Sequence, residues 1–233
     1  MAIVAASYVS IQALGVLVAG LGLVVAVGWP QLSGIPARRS QSAVIGAAAV
    51  IACAGSVTVS GPAYMIWFPA AVALGVGAVF VIQLLRGTGQ SHRLESILSS
   101  SAGVFAVSLG AGWVAADRLA LNAADSPLTL VAGLSLLLAF AASLLPWRTA
   151  VTAPLGAVAA ALAGPVVALF REDLPVVATA LIGAVLAVAV VAATRLVRAH
   201  PTPVSLAAAA TLGITPVLAV GSVVYYLDKL LLS

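Results

Sequence analysis

The sequence predicts an all-α integral membrane protein, folded as a polytopic bundle of about eight transmembrane helices. Of its 233 residues, 63% are hydrophobic and only 7% are charged, whereas a soluble domain is about 45–50% apolar and about 25% charged. The mean hydropathy of +1.23 leaves too little polar surface to cover a water-soluble globule. The composition therefore excludes a soluble enzyme, a disordered chain and a nucleic-acid-binding domain. We expect residues 1–233 to form a single membrane domain.

Charged residues, prolines and glycines divide the chain into apolar segments. These segments match the roughly 20 residues that a helix needs to cross the hydrocarbon core, and they exceed the roughly 9–11 residues of a barrel strand. They also lack the alternation of apolar and polar residues that a membrane barrel requires. The predicted spans cover residues 8–29, 43–60, 63–85, 94–116, 127–145, 154–170, 174–194 and 203–227.

The basic residues predict the orientation of the bundle. Connections that follow the odd-numbered spans hold seven of the ten Lys and Arg residues, and cytoplasmic loops carry an excess of these residues. We therefore expect both termini outside and a bacterial cytoplasmic (inner) membrane as the location, which the bias toward Arg over Lys also favours. Similar helix ends at Trp29-Pro30 and Pro146-Trp147 predict a parallel repeat of four plus four helices.

Small residues recur along one face of several predicted helices. With the residues that share their faces, the stripes are Gln12, Gly15, Ala19, Gly22, Ala26 and Trp29 in the first span, Ser99, Gly103, Ala106, Gly110, Trp113 and Asp117 in the fourth, Gly156, Ala160, Gly164 and Ala168 in the sixth, and Thr179, Gly183 and Ala187 in the seventh. Because lipid tails are as apolar as leucine, membrane helices associate through close packing of such residues. The stripes predict tight helix contacts, within the bundle or with another subunit, and a substrate groove is the alternative.

No catalytic motif occurs in the sequence, so an enzyme is disfavoured. The single cysteine, Cys53, excludes an intrachain disulfide and a Cys-cluster metal site. His92 and His200 lie in separate connections, so we expect no metal and no cofactor. Buried polar groups usually mark transport pathways. We expect almost none here, which disfavours a relay of carboxylates for protons.

The segment RGTGQSHR, residues 86–93, is the best candidate for contact with an anion. Its glycines allow backbone N–H groups to converge, and its basic side chains suit a phosphate head group of a membrane lipid. The alternative is a flexible polar turn between basic anchors. The predicted contact residues are Arg38, Arg39, Arg86, His92 and Arg93.

Prolines and outward-facing charges give two further candidate sets. Pro69, Pro165 and Pro216 lie within predicted helices, where each proline removes a backbone hydrogen bond and breaks or kinks the helix. They line a substrate path or act as passive kinks. The charges Asp117, Arg118, Glu172 and Asp173 lie at predicted outer helix ends. They pair with one another, with a partner or with a cationic ligand, or they are solvated.

The leading hypothesis for function is a non-enzymatic membrane protein that acts as a permease-like or lipid-handling component of a cell-envelope complex. Its partners are then membrane lipids and other membrane protein subunits, with no nucleic acid. The short connections support a complex, because they leave no room for a soluble ligand-binding domain. The alternative is a structural subunit that scaffolds a larger membrane assembly, and a membrane-embedded transferase ranks third.

Overall fold

A computed structural model describes residues 2–34, 38–60, 63–86, 93–122, 128–144, 149–168, 177, 179–188 and 205–231. Regular structure in these residues is helical, without a strand, which confirms the all-α prediction. The helices are α1 (Ala2–Val9), α2 (Ile11–Leu32), α3 (Arg38–Thr58), α4 (Trp67–Leu85), α5 (Arg93–Ser108), α6 (Ala111–Asn122), α7 (Leu128–Leu144), α8 (Thr149–Ala168), α9 (Thr179–Val188) and α10 (Leu206–Leu231).

Within the described residues, five segments are long and apolar enough to cross a membrane, as expected for a multi-pass membrane protein. They are Ile11–Leu32, Arg39–Thr58, Trp67–Leu85, Arg93–Leu119 and Leu206–Leu230. The other three predicted spans fall on α7, α8 and α9, which are shorter or only partly described. The total of eight spans, the location of both termini and the four-plus-four repeat therefore stay predictions.

The first predicted span, residues 8–29, lies mostly in α2, and its first two residues are the end of a separate helix, α1. Ser10 lies between them with an extended backbone (φ −173°, ψ 157°), and its side-chain oxygen accepts a hydrogen bond from the Ala13 backbone N–H at 3.0 Å. This N-cap satisfies one of the N–H groups that a helix start leaves free. As a result α2 begins at Ile11, and it continues through Pro30 to Leu32.

The fourth predicted span is interrupted at Leu109–Gly110, between α5 and α6. Three backbone hydrogen bonds here join residues three positions apart, which is the tighter pattern of a 3₁₀ turn. Helix α10 packs beside this break and is joined to it by two hydrogen bonds. The Ser222 hydroxyl donates to the Leu109 carbonyl at 2.7 Å, and the Trp113 indole N–H donates to the Val217 carbonyl at 2.8 Å.

The described helices pack around α2, α3, α5, α6 and α10, with α4 covering α3 and α5. Helix α1 contacts α2 and α7, and α8 packs extensively on α7. The fully buried side chains at the centre include Leu14, Val18, Ile45, Trp113 and Leu218.

Glycines bring these helices into close contact, as the small-residue stripes predict. A side chain at Gly22 would collide with Ala49 of α3, and one at Gly164 would collide with the Thr179 backbone of α9. The crossing of α6 and α10 is also close, because Gly112 lies directly against the backbone of Ser222. The stripes are thus helix interfaces within the chain.

Helix ends rich in arginine meet at one end of the bundle, which we call the basic end. Here α2 and α4 end, and α3, α5 and α10 begin. The Trp29 indole N–H donates to the Ser99 carbonyl at 2.8 Å, and the Ser205 hydroxyl donates to Gln31 Oε1 at 2.7 Å. These bonds tie α2 to α5 and α10. We call the opposite end the far end.

Candidate functional site

Two predicted contact residues, Arg86 and Arg93, lie close to buried polar side chains at the basic end. Arg93 Nη2 donates to the Gln83 backbone carbonyl at 2.9 Å, so it satisfies a carbonyl in the last turn of α4. The Gln83 side-chain Nε2 in turn donates to Ser96 Oγ of α5 at 2.8 Å. Arg93 and Gln83 therefore join the ends of α4 and α5.

Buried polar atoms without partners lie at the same end. Gln41 of α3 is fully buried, and neither its amide nitrogen nor its amide oxygen has a hydrogen-bond partner among the described residues. The same holds for Arg86 Nη1 and for the hydroxyl of the fully buried Ser100. A buried polar group without a partner costs roughly 1–3 kcal/mol, so a bound group that supplied partners here would be stabilised.

The register of α3, α4 and α5 places the buried side chains of Gln41, Gln83 and Ser96 at one level of the bundle. A side chain at Gly75 of α4 would contact Val104 of α5 at 2.5 Å and Ala48 of α3 at 3.4 Å, so these residues lie at one level. Gln41, Gln83 and Ser96 each lie seven or eight residues closer to the basic end, about 10–12 Å along their helices. All three are buried, so they form one polar layer beneath the arginines.

An apolar groove of about 340 Å³ runs between α3 and α4. Its lining includes Ala43, Ala47 and Ile51 of α3 and Ala71, Leu74 and Ala78 of α4. Ala48 and Gly75 also line it, and these two residues fix the register of the polar layer. The groove and the polar layer therefore share the same pair of helices, with the arginines at one end.

The other predicted contact residues are placed only in part. Arg38 begins α3 at the basic end, and Arg39 is exposed one residue later. His92 lies outside the described residues. Arg38, Arg39, Arg86 and Arg93 thus share one end of the bundle, while the predicted convergence of backbone N–H groups around Gly87 and Gly89 falls on residues that are not described.

The three predicted helix breaks differ from one another. Helix α4 begins at Trp67, later than expected, so Pro69 occupies its first turn, where a missing N–H is tolerated. Pro165 and Pro216 lie inside α8 and α10. The Thr215 hydroxyl donates to the Thr211 carbonyl at 2.7 Å, one residue before the carbonyl that Pro216 leaves without its usual N–H partner.

Arg118 at the far end bonds to backbone carbonyls of the same chain. Its Nη1 donates to the carbonyls of Ser56, Val57 and Val59 at 3.0, 3.1 and 2.6 Å, and its guanidinium lies 4.7 Å from the ring centre of Tyr64. Arg118 thus caps the carboxyl end of α3 and packs against the segment that leads into α4. A guanidinium suits this role because it presents several donors in a planar fork.

The expectation of almost no buried polar groups is wrong. Asp117 and Asp228 are only 7% and 4% exposed, although both lie near the far end of segments that are long and apolar enough to cross a membrane. Sequence reasoning also missed Gln41. The available signal was the run of polar residues that follows Arg38 and Arg39 into the start of α3. Glu172 and Asp173 lie outside the described residues.

No group of three or more potential metal ligands occurs within the described parts of the chain. The donors at the basic end are instead amide, guanidinium and hydroxyl groups, which suit the oxygen atoms of an anion.

Comparisons with models of protein families, with curated proteins and with solved structures find no match. The function is therefore inferred from the geometry of this chain.

Proposed function

We propose that the protein is a non-enzymatic, lipid-handling component of a bacterial cytoplasmic membrane, permease-like in that it holds a lipid between its helices. The phosphate-bearing head group contacts Arg86 and Gln41 at the basic end. One hydrocarbon chain lies in the groove between α3 and α4. The observation that carries the proposal is a pair of donors without a partner among the described residues, Arg86 Nη1 directly after α4 and Gln41 Nε2 on α3, the two helices that form this apolar groove.

The charges and the lining of the site both support an anionic lipid. Arg86 Nη1 and Gln41 Nε2 need acceptors, and phosphate oxygens supply them. The groove offers Ala43, Ala47 and Ala78, whose short side chains leave room for a chain. Arg93 is already bonded to the Gln83 carbonyl, so it holds the helix ends together and adds positive charge. The proposal also includes other membrane subunits as partners, as expected for a protein with short connections.

Loss of Arg86 is expected to weaken the binding of phosphatidylglycerol more than loss of Arg39. A basic residue near an anionic surface contributes about 1 kcal/mol, or about fivefold in affinity, which is the loss expected for Arg39→Gln. A hydrogen bond to a charged group contributes roughly 1.5–3 kcal/mol, so Arg86→Gln is expected to lose more than about tenfold. Native mass spectrometry in mild detergent with added phosphatidylglycerol measures the lipid affinity of both variants. Equal losses would show a general surface attraction and contradict a site built around Arg86.

A bulky residue in the groove is expected to displace the lipid chain. Ala47→Phe places a ring in the groove, whereas Ala73→Phe places the same ring on an exposed part of α4 outside it. We expect reduced co-purification of phosphatidylglycerol for Ala47→Phe and no change for the matched control. If Ala47→Phe and Arg86→Gln bind as much phosphatidylglycerol as the unaltered protein, lipid handling is excluded. The scaffolding alternative then remains.

The proposal places the basic end at the cytoplasmic face, in line with the excess of arginine there. Cys53 is buried and can be replaced by serine. In that background, a cysteine in place of Asn122 at the end of α6 is expected to react with a membrane-impermeant maleimide in intact cells. A cysteine in place of Ser91 is expected to react only after lysis. The reverse labelling pattern would overturn the orientation.

A further inference from the structure

A second cavity, separate from the groove, lies on the side of the bundle that faces α7. It has a volume of about 240 Å³ and is lined by residues of α1, α2, α6, α7 and α10, including Ile3, Leu21, Leu136 and Val217. No residue of α3 or α4 lines it. We call it the midplane cavity, because of where it lies along its helices.

The midplane cavity lies halfway along three of these helices. Leu21 is the eleventh of the 22 residues of α2, and Leu136 is the ninth of the 17 residues of α7. Val217 is the twelfth of the 26 residues of α10. Because α2 and α10 are both long and apolar enough to cross a membrane, the cavity lies at the depth where the surrounding solvent is hydrocarbon.

The described lining residues offer no free polar side chain. Among them only Trp113 has a polar side-chain atom, and its indole N–H is already donated to the Val217 carbonyl at 2.8 Å. A water molecule needs two to four polar partners, and apolar cavities of this kind stay dry. The chemistry therefore favours a hydrocarbon occupant.

Gly213 provides the entrance. It lines the cavity and is exposed, so the cavity opens sideways beside α10. A side chain at Gly213 would contact nothing within 4 Å, so helix packing does not require a glycine here, unlike at Gly221, where a side chain would collide with Trp113. The missing side chain instead leaves an opening.

We propose that the midplane cavity binds the terminal segment of one phospholipid acyl chain, which enters beside Gly213 from the surrounding bilayer. The volume is below the roughly 300–1,000 Å³ of sites that enclose a whole drug-sized molecule, so it fits part of a single chain. Ile3 and Val4 of α1 line one side, and Val4 lies against Gly133 of α7. The cavity is thus bounded by α1 and α7, and the chain enters along α10.

The test uses the full-length protein in nanodiscs of phosphatidylcholine that carries a photoreactive diazirine at the end of one acyl chain. After irradiation, we expect mass spectrometry to find cross-links at Leu136, Leu137 and Ile214. Gly213→Phe fills the entrance and is expected to reduce these cross-links at least fivefold. Gly77→Phe is the matched control, since Gly77 is also a helical glycine with nothing within 4 Å of a side chain, and it should leave them unchanged.

The proposal would be overturned if Gly213→Phe kept the thermal stability of the unaltered protein and the cross-links at the three lining residues persisted. Cross-linking no stronger than at exposed positions of α4 would also overturn it. Should Gly213→Phe unfold the chain, Gly213→Leu provides a smaller plug and the same comparison. The lipid is zwitterionic and Arg86 is unaltered, so failure here leaves the proposed contact at the basic end untouched.

Discussion

Replacing Gly112 by leucine is expected to destabilise the bundle by about 3 kcal/mol or more. A side chain at this position would overlap the backbone of Ser222, so α6 and α10 would have to separate. Their separation would break the bonds from Ser222 to Leu109 and from Trp113 to Val217. Overpacking costs roughly 1–3 kcal/mol, and each lost hydrogen bond adds about 1 kcal/mol.

Unfolding in a titration of denaturing against mild detergent, followed by circular dichroism, measures this change. Gly77→Leu is the control, because Gly77 is exposed and a side chain there meets nothing within 4 Å. We expect its midpoint to stay within the error of the unaltered protein. Equal stability of the Gly112 and Gly77 variants would mean that α6 and α10 do not cross at Gly112.

Replacing Arg118 by methionine is expected to produce the second large effect. Methionine keeps much of the side-chain length but leaves the carbonyls of Ser56, Val57 and Val59 without this donor. It also removes the cation from the face of Tyr64. Hydrogen bonds to a charged group contribute roughly 1.5–3 kcal/mol each, but they share one nitrogen here, so we expect a total loss of about 3 kcal/mol.

Arg118→Lys separates charge from geometry. Lysine keeps the positive charge but lacks the planar fork of the guanidinium, so we expect it to recover part of the lost stability. The same denaturation measurement applies to both variants. A methionine variant as stable as the unaltered protein would show that Arg118 does not hold the end of α3. Arg39→Gln, which removes an exposed arginine, controls for the change in net charge.

The helical class and several helix interfaces were predictable from the sequence, because they depend on local composition. Gly22 and Gly164 could be assigned to interfaces from their spacing, and both lie against a neighbouring helix. The basic end was predictable from the positions of the arginines. These features need no knowledge of how distant parts of the chain meet.

Features that depend on distant partners were not predictable. The break at Leu109–Gly110 has no proline or charge to mark it, and glycine is common in membrane helices. The role of Arg118 depends on carbonyls about 60 residues earlier in the chain. Gln41 was missed for the same reason, since its layer with Gln83 and Ser96 requires the register of three helices. A polar group in the interior is recognised from the residues around it, and the spacing of residues in the sequence does not show which residues those are.

The break between α5 and α6 has a consequence for the order in which the chain assembles during synthesis. Leu109 accepts its side-chain hydrogen bond from Ser222, 113 residues later, so at roughly 5–20 residues per second this donor is made about 6–23 s after the carbonyl. The Leu109 carbonyl already accepts the Gly112 backbone N–H at 3.0 Å, so α10 supplies its second bond and the packing around the turn. The contacts of α5 and α6 with α10 are therefore completed only after α10 has been made. Chains truncated before α10 should remain degradable by quality-control proteases, even though every earlier span has already been inserted.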